Sequence, residues 1–241
     1  MYQNSAVSRI RSIFSRFRRN NITPKVGDDF TTHLQGVNGG FLEVGNLDCF
    51  DYAIKNLSSD SPIVEIGSFT GLSTNLINYY RRQHGKTNVV FNCDRWEPPA
   101  AGRIAHSEFT FSEMFAFAES TYRRNVEMFS RDNLPHTIRE WSDDFFALWR
   151  KGAETKDICG RTVRLGGPIS FCFIDGNHSY AFAKRDFDNT DEFLEPGGFV
   201  LFDDSGDGTI WECGKIAIEV KQNPRYEVVS SNPNYLFRKL K

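Results

Sequence analysis

Two acidic segments carry the side chains best able to do chemistry. Asp175 follows the apolar run Ile169–Ile174, and Asp203-Asp204 follows Val200-Leu201-Phe202. If these runs are neighbouring parallel strands, about 4.8 Å apart, three carboxylates meet at one sheet edge. Carboxylates that close repel and raise one another's pKa. A hard divalent cation resolves the repulsion, and magnesium suits an all-oxygen site that leaves positions open for substrate. His178, three residues beyond Asp175, could then act as a general base. The structural alternatives are a helix N-cap for Asp175, a turn for Asp203-Asp204, and an orienting role for His178.

Two further motifs lie upstream. Ile63–Ile66 runs into Gly67-Ser68-Phe69-Thr70-Gly71, with a helical pattern after it. Gly67 permits a sharp turn and a close ligand approach, at the strand end where open α/β sheets bind ligands. The pattern is neither GxGxxG nor GxxxxGK[ST], which argues against a dinucleotide cradle and a P-loop. Asp94 ends the run Val89–Cys93, about one βαβ unit later. A carboxylate there can accept both hydroxyls of a ribose. Taken singly, these motifs also describe a tight turn and a solvated strand end. Together they fit an adenosine-containing cofactor.

These motifs require a scaffold of alternating strands and helices. From Pro62 onward, strands are expected at 63–66, 88–93, 137–141, 169–174 and 199–202. Helical patterns are expected after Gly71, over Phe109–Phe129, and from Tyr180 to Leu194, with Glu195-Pro196-Gly197-Gly198 as the turn ending the last. Near-continuous apolar strands between helices predict an α/β fold whose parallel sheet is covered on both faces. Tyr226–Ser230 and Tyr235–Lys239 flank Ser231–Asn234, which predicts an antiparallel terminal hairpin. Residues 150–168 are polar and glycine-rich, and read as an inserted loop.

The 241 residues suit one domain of this kind. The chain is 39% hydrophobic and 25% charged, an ordinary soluble composition. Its 22 phenylalanines imply a phenylalanine-rich core more readily than aromatic walls around a flat ligand. Cys49, Cys93, Cys159, Cys172 and Cys213 form no CxxC pair, so free thiols in a reducing, cytoplasmic compartment are expected. Charge is uneven. Residues 1–27 carry Arg9, Arg11, Arg16, Arg18, Arg19 and Lys25 with no acid, so a net charge of −2 leaves the remainder strongly acidic. An acidic body argues against a nucleic-acid footprint. Ile10, Ile13, Phe14 and Phe17 place one apolar face on a basic helix. Through residues 9–19 it could meet a membrane surface, a partner or a dimer mate, or simply pack on the body.

VEIGSFTGLST, FNCD, FCFIDGNHSY and EPGGFVLFDD together resemble the class I S-adenosylmethionine-dependent methyltransferases. They are most similar to the metal-dependent sugar O-methyltransferases of macrolide, aminocoumarin and glycan pathways. The resemblance runs from about Pro62 to Lys241. It implies a Rossmann-like, mostly parallel seven-stranded sheet. It also implies that Glu65, Gly67, Ser68 and Gly71 hold the methionine part of the cofactor, with Asp94 on the ribose, Ser142-Asp143 near the adenine, and Asp175 beside the cofactor. Asp175, Asp203 and Asp204 match the metal ligands. His178 matches the base of some members, supported by Asp175. Many relatives have a second acid where this chain has Asn177. The division expected is a basic segment at 1–27 and a methyltransferase domain at 28–241, with lid elements in 28–61, 98–131 and 150–168. The expected reaction methylates a hydroxyl of a sugar or other small molecule. The rival readings are a metal-independent methyltransferase and a non-catalytic cofactor-binding scaffold, with a nicotinamide dehydrogenase more distant.

Overall fold

The run Ile63–Ile66 (β1) is buried on both faces and lies in the interior of the sheet in a computed structural model, which describes residues 27–98 and 101–241. The basic segment at 9–19 lies outside the described residues. Around β1 the sheet adds β2 (Val90–Cys93), β3 (His136–Ile138), β6 (Ile169–Ile174), β7 (Leu194–Phe202), β8 (Tyr226–Ser231) and β9 (Tyr235–Lys239). Their order is β3-β2-β1-β6-β7-β9-β8. The first five are parallel, and β9 pairs antiparallel with both β7 and β8. The expected Rossmann-like sheet with a terminal hairpin is therefore present. Strand order reverses between β1 and β6, which opens a crevice beyond their C-terminal ends.

Helices cover both faces. On one face, Val64, Ile66 and Phe202 pack with Phe145, Phe146 and Trp149 of α5 (Ser142–Arg150) and with residues of α6 (Tyr180–Phe193) and α7 (Cys213–Gln222). On the other, Ile63, Phe171 and Phe199 pack with Phe50 of α2 (Asn46–Lys55) and Leu76 of α3 (Leu72–Gln83). Most of the phenylalanines named here are core residues. The short α1 (Asp29–Asn38) is capped by Asp28, whose carboxylate accepts from the Thr31 amide at 2.8 Å. The long α4 (Phe111–Phe129) starts at a capping box of Thr110 and Glu113, which satisfies otherwise orphaned amides. It carries Ala118, Tyr122 and Val126 into a third apolar cluster with Trp96.

Three expectations change. Glu195-Pro196-Gly197-Gly198 lies inside β7 rather than ending the helix before it. Leu194 pairs with Ile169 and Phe199 with Phe171, so a bulge absorbs the extra residues; Gly197, at φ 87°, tolerates the local bend. Residues 150–168 contain a small antiparallel pair, β4 (Glu154–Lys156) with β5 (Thr162–Arg164). The third strand stops at Ile138, and Trp141 is the N-cap of α5. Among the described residues, no helix is long and apolar enough to cross a membrane.

Candidate active site

The glycine turn leaves β1 at the crevice. Gly67 has φ 82°, and a Cβ there would lie 2.1 Å from the Asp175 carbonyl oxygen. Only glycine fits this approach of two backbones. Gly71 has φ 86° and faces the Tyr122 ring, which a Cβ would meet at 3.0 Å. Between them Phe69 adopts φ 42°. A bulky residue held there costs on the order of 1–3 kcal/mol and persists only when its surroundings impose it. Here they do. The Ser68 and Phe69 amides both donate to Asp94 Oδ2, at 2.8 and 2.9 Å, and Trp96 Nε1 donates to the Phe69 carbonyl at 2.8 Å.

Asp94 therefore shapes the turn as well as standing beside it. Its other oxygen accepts the Trp96 amide at 2.7 Å. Burial raises its pKa, and the three amides oppose that rise. Three accepted bonds leave lone-pair capacity on a carboxylate for a further donor.

Glu65 lies beneath the turn and is fully buried. Its Oε2 accepts from Thr74 Oγ1 at 2.5 Å, from Ser68 Oγ at 3.2 Å and from the Asn92 amide. Its Oε1 is buried without a partner. Burial pushes the carboxyl up to about 7, against the lowering effect of the surrounding hydroxyls and amide. The folded chain thus binds a proton here more tightly than the unfolded chain, so stability falls as pH rises from about 4.5 to about 7. The full cost is on the order of 3 kcal/mol. Glu65→Gln, a mimic of the protonated acid, is expected to flatten this dependence. Its melting temperature should exceed that of the wild type at pH 8 and match it near pH 4.5; equal melting temperatures at pH 8 would count against a strained carboxylate.

The next strand ends bring the acids together. Ile174 is paired with Phe202, so Asp175 and Asp203 leave the sheet side by side. Asp203 Oδ1 accepts from Asn46 Nδ2 at 2.6 Å and Asn234 Nδ2 at 2.7 Å. Asp175 and Asp203 lie close enough to interact, in the sense that favours a proton on Asp175 over one on Asp203. Burial, and then the charges of Asp203, Glu65 and Asp204, hold Asp175 well above the usual carboxylate range. Burial and Asp204 raise Asp203 to about 6, although Asn46 opposes this. Asp204, at φ 49°, turns its carboxylate towards His178, with Oδ2 3.5 Å from Nδ1. Burial lowers the His178 pKa, partly offset by Asp204. The imidazole is then neutral at pH 7 and free to accept a proton. The Trp211 ring lies 5.1 Å from the imidazole, beside a cavity of about 350 Å³ lined by residues between Ser205 and Ile218.

These acids have the donor chemistry of a hard-cation site. Their arrangement is another matter: among the described residues, no three His, Cys, Asp or Glu side chains are placed to hold a metal ion. Asp203 is engaged by two amides and by Asp175, while Asp204 faces His178.

The remaining expected residues lie apart. Ser142 begins α5 and bonds to Asp186, while Asp143 pairs with Arg185 Nε at 2.9 Å and Asn189 Nδ2 at 3.1 Å on α6. The Asp143 carboxylate is thus directed at α6 rather than into the acidic cluster. Asn177 accepts the Ser179 amide at 2.9 Å and shapes the entry to α6. The structure adds Asn46, Asn92, Thr74 and Asn234 to the site. Thr74 and Asn92 fall within the segments VEIGSFTGLST and FNCD, though nothing there marks their bonds to Glu65, whereas Asn46 and Asn234 lie far in sequence from the Asp203 that they hold.

Comparison with solved structures agrees with this fold. The chain is similar to an O-methyltransferase from Bacillus cereus in complex with SAH, at TM-score 0.58 and 14% identity, covering 90% of this chain and 93% of that one. It is similar to the O-methyltransferase NovP at TM-score 0.56 and 14% identity, covering 82% and 81%. It is also similar to the O-methyltransferase TomG from Streptomyces achromogenes, solved with SAM, at TM-score 0.55 and 11% identity, covering 97% and 96%. Identities this low establish a shared fold. The family described as a methyltransferase domain matches residues 64–205, which hold the glycine turn, Asp94, Asp175, His178 and the Asp203-Asp204 pair. The match spans more than half of the chain, and this protein belongs to the methyltransferase-domain family.

Proposed function

We propose that the chain is an S-adenosylmethionine-dependent O-methyltransferase, acting on a hydroxyl of a small molecule or sugar with help from a divalent cation, expected to be magnesium. The observation that carries this reading is Glu65: a fully buried carboxylate with one unpartnered oxygen, under a turn where only glycine fits. Such a group suits the cationic amine of an amino-acid moiety. The neighbours solved with SAH or SAM share the fold.

Each residue then has a task. Glu65, Gly67, Ser68 and Gly71 receive the methionine part, and Asp94 offers its remaining lone pair to a ribose hydroxyl. Ser142-Asp143 flank the adenine end, where Asp143 must leave Arg185 to make direct contact. Asp175 borders the cofactor, and Asp175, Asp203 and Asp204 would hold the cation only if Asp203 and Asp204 turned from Asn46, Asn234 and His178, because the three are not placed for it as they stand. When bound, S-adenosylmethionine supplies the methyl group, and a divalent cation lowers the pKa of a bound hydroxyl. His178 takes the proton from the acceptor oxygen at Nε2, while Asp204 steadies the imidazole at Nδ1. The remaining rate enhancement comes from holding the two reactants in line. The five free cysteines fit a cytoplasmic enzyme.

One feature favours a metal-independent variant of the same chemistry. The amides of Asn46 and Asn234 already compensate Asp203. Calorimetry with S-adenosylmethionine and NAD, in magnesium and then in EDTA, tests the reading. Micromolar binding of S-adenosylmethionine but not NAD is expected, followed by methyl transfer to sugar or catechol hydroxyls that EDTA abolishes. Transfer insensitive to EDTA would favour the metal-independent reading. Absence of S-adenosylmethionine binding in both conditions would remove the cofactor assignment.

A further inference from the structure

The carbonyl of Thr70, inside the glycine turn, accepts two side-chain amides from distant parts of the chain. Asn125 Nδ2 of α4 donates to it at 2.7 Å, and Asn38 Nδ2 at the end of α1 donates at 3.1 Å. Asn125 Nδ2 also donates to the Asn38 carbonyl at 3.0 Å, so its amide bridges α1 and the turn. Thr70 Oγ1 returns a bond to the Gly39 carbonyl at 2.8 Å. Asn38 is itself held, since its Oδ1 accepts from Asn75 Nδ2 at 2.8 Å.

The rest of α4 is directed at the same turn. Tyr122 and Val126 are the side chains that a Cβ on Gly71 would meet. Residues 122, 125 and 126 share one face of a helix by their spacing. Tyr122 is fixed in turn by Thr137 on β3, hydroxyl to hydroxyl at 2.5 Å. These contacts surround a segment with Phe69 at φ 42° and Gly71 at φ 86°, a conformation that needs external restraint. A primary amide is apt at position 125 because its two hydrogens can satisfy two carbonyls at once.

We infer that Asn125, supported by Asn38, is a positioning residue for the cofactor: it holds the Ser68–Gly71 turn in its binding shape and ties that shape to the docking of α1 and α4. The inference rests on the proposed S-adenosylmethionine site. Any ligand that occupies the turn is thereby linked to α1 and α4, which fall in the segments expected to form the lid.

Asn125→Asp tests it, because the variant keeps the shape but removes both donors and sets a carboxylate against two carbonyls. Two readouts are needed: S-adenosylhomocysteine affinity by calorimetry, and hydrogen exchange of the Ser68–Leu72 amides in the ligand-free protein. The expected results are a 10- to 100-fold weaker affinity and faster exchange at those amides, with exchange in β6 and β7 unchanged. Asn125→Ser, which keeps one donor, should fall between the variant and the wild type. It also serves if Asn125→Asp does not fold. A purely structural role would lower the melting temperature while affinity stayed within twofold of the wild type, and that result would overturn the inference. If the wild type itself bound no S-adenosylhomocysteine, the cofactor reading would fail instead. The exchange rates would still decide whether Asn125 holds the turn.

Discussion

Gly67→Ala is expected to abolish cofactor binding. A Cβ at this position would lie 2.1 Å from the Asp175 carbonyl oxygen, which belongs to backbone leaving the central strand β6. No rotamer change relieves such a contact. Either the turn or the exit of β6 must move, and Asp175 moves with the latter. The left-handed φ of 82° adds a conformational penalty of about 1 kcal/mol for any L-residue. Calorimetry should show no binding of S-adenosylmethionine at concentrations that saturate the wild type, together with a melting temperature lower by several degrees. Gly85→Ala is the matched control. It has φ 61° and nothing within 4 Å of its added Cβ, so it incurs the strain without the collision. It should lose some stability and keep full affinity. Gly67→Ala binding within threefold of the wild type would show that ligand does not enter at this turn.

The sequence made the centre of this molecule legible for a physical reason. β1, β6 and the C-terminal half of β7 are buried on both faces, so they appear as apolar runs interrupted only by Glu65 and Ser170 and followed at once by Gly67, Asp175 and Asp203. Residues that must turn or carry charge at a strand end are visible by position alone. The periphery was less legible. α1, α2 and α7 are short helices of mixed composition, held by tertiary packing more than by pattern. The Pro-Gly-Gly segment within β7 reads locally as a terminator, and only its pairing with β6 shows a bulge. The asparagines were invisible for a different reason. Asn46 lies 157 residues from Asp203 and Asn125 lies 55 from Thr70, so no local spacing records either bond. Asp94 was legible as a residue but not in full as a role. Its position marks a cofactor contact, whereas its bonds to Ser68, Phe69 and Trp96 show that it also builds the turn.

Asp203→Asn should separate stability from catalysis. In the wild type, Asp203 Oδ1 receives two amides, while burial and the Asp204 charge work against its ionised form. An asparagine can keep both accepted bonds on its oxygen and donate its amide to Asp175, while removing the buried charge. The folded pKa of Asp203 is raised from 3.8 to about 6, so the wild type loses stability as pH rises through about 4 to 6. Above that window the loss is on the order of 2–3 kcal/mol. The variant should therefore melt higher at pH 7.5, melt close to the wild type at pH 4, and bind S-adenosylmethionine nearly as well. Methyl transfer should nevertheless fall by about 10²- to 10³-fold, because a charge that would hold the cation and the acceptor has gone. Residues kept at a cost to the fold are expected where activity requires them. If activity survived with the gain in stability, Asp203 would be a structural acid, and transfer would rest on His178 and Asp204 without a cation. If stability fell as well, the two amides would be donating to a charge the fold needs, and burial of that charge would not be the dominant cost at this edge.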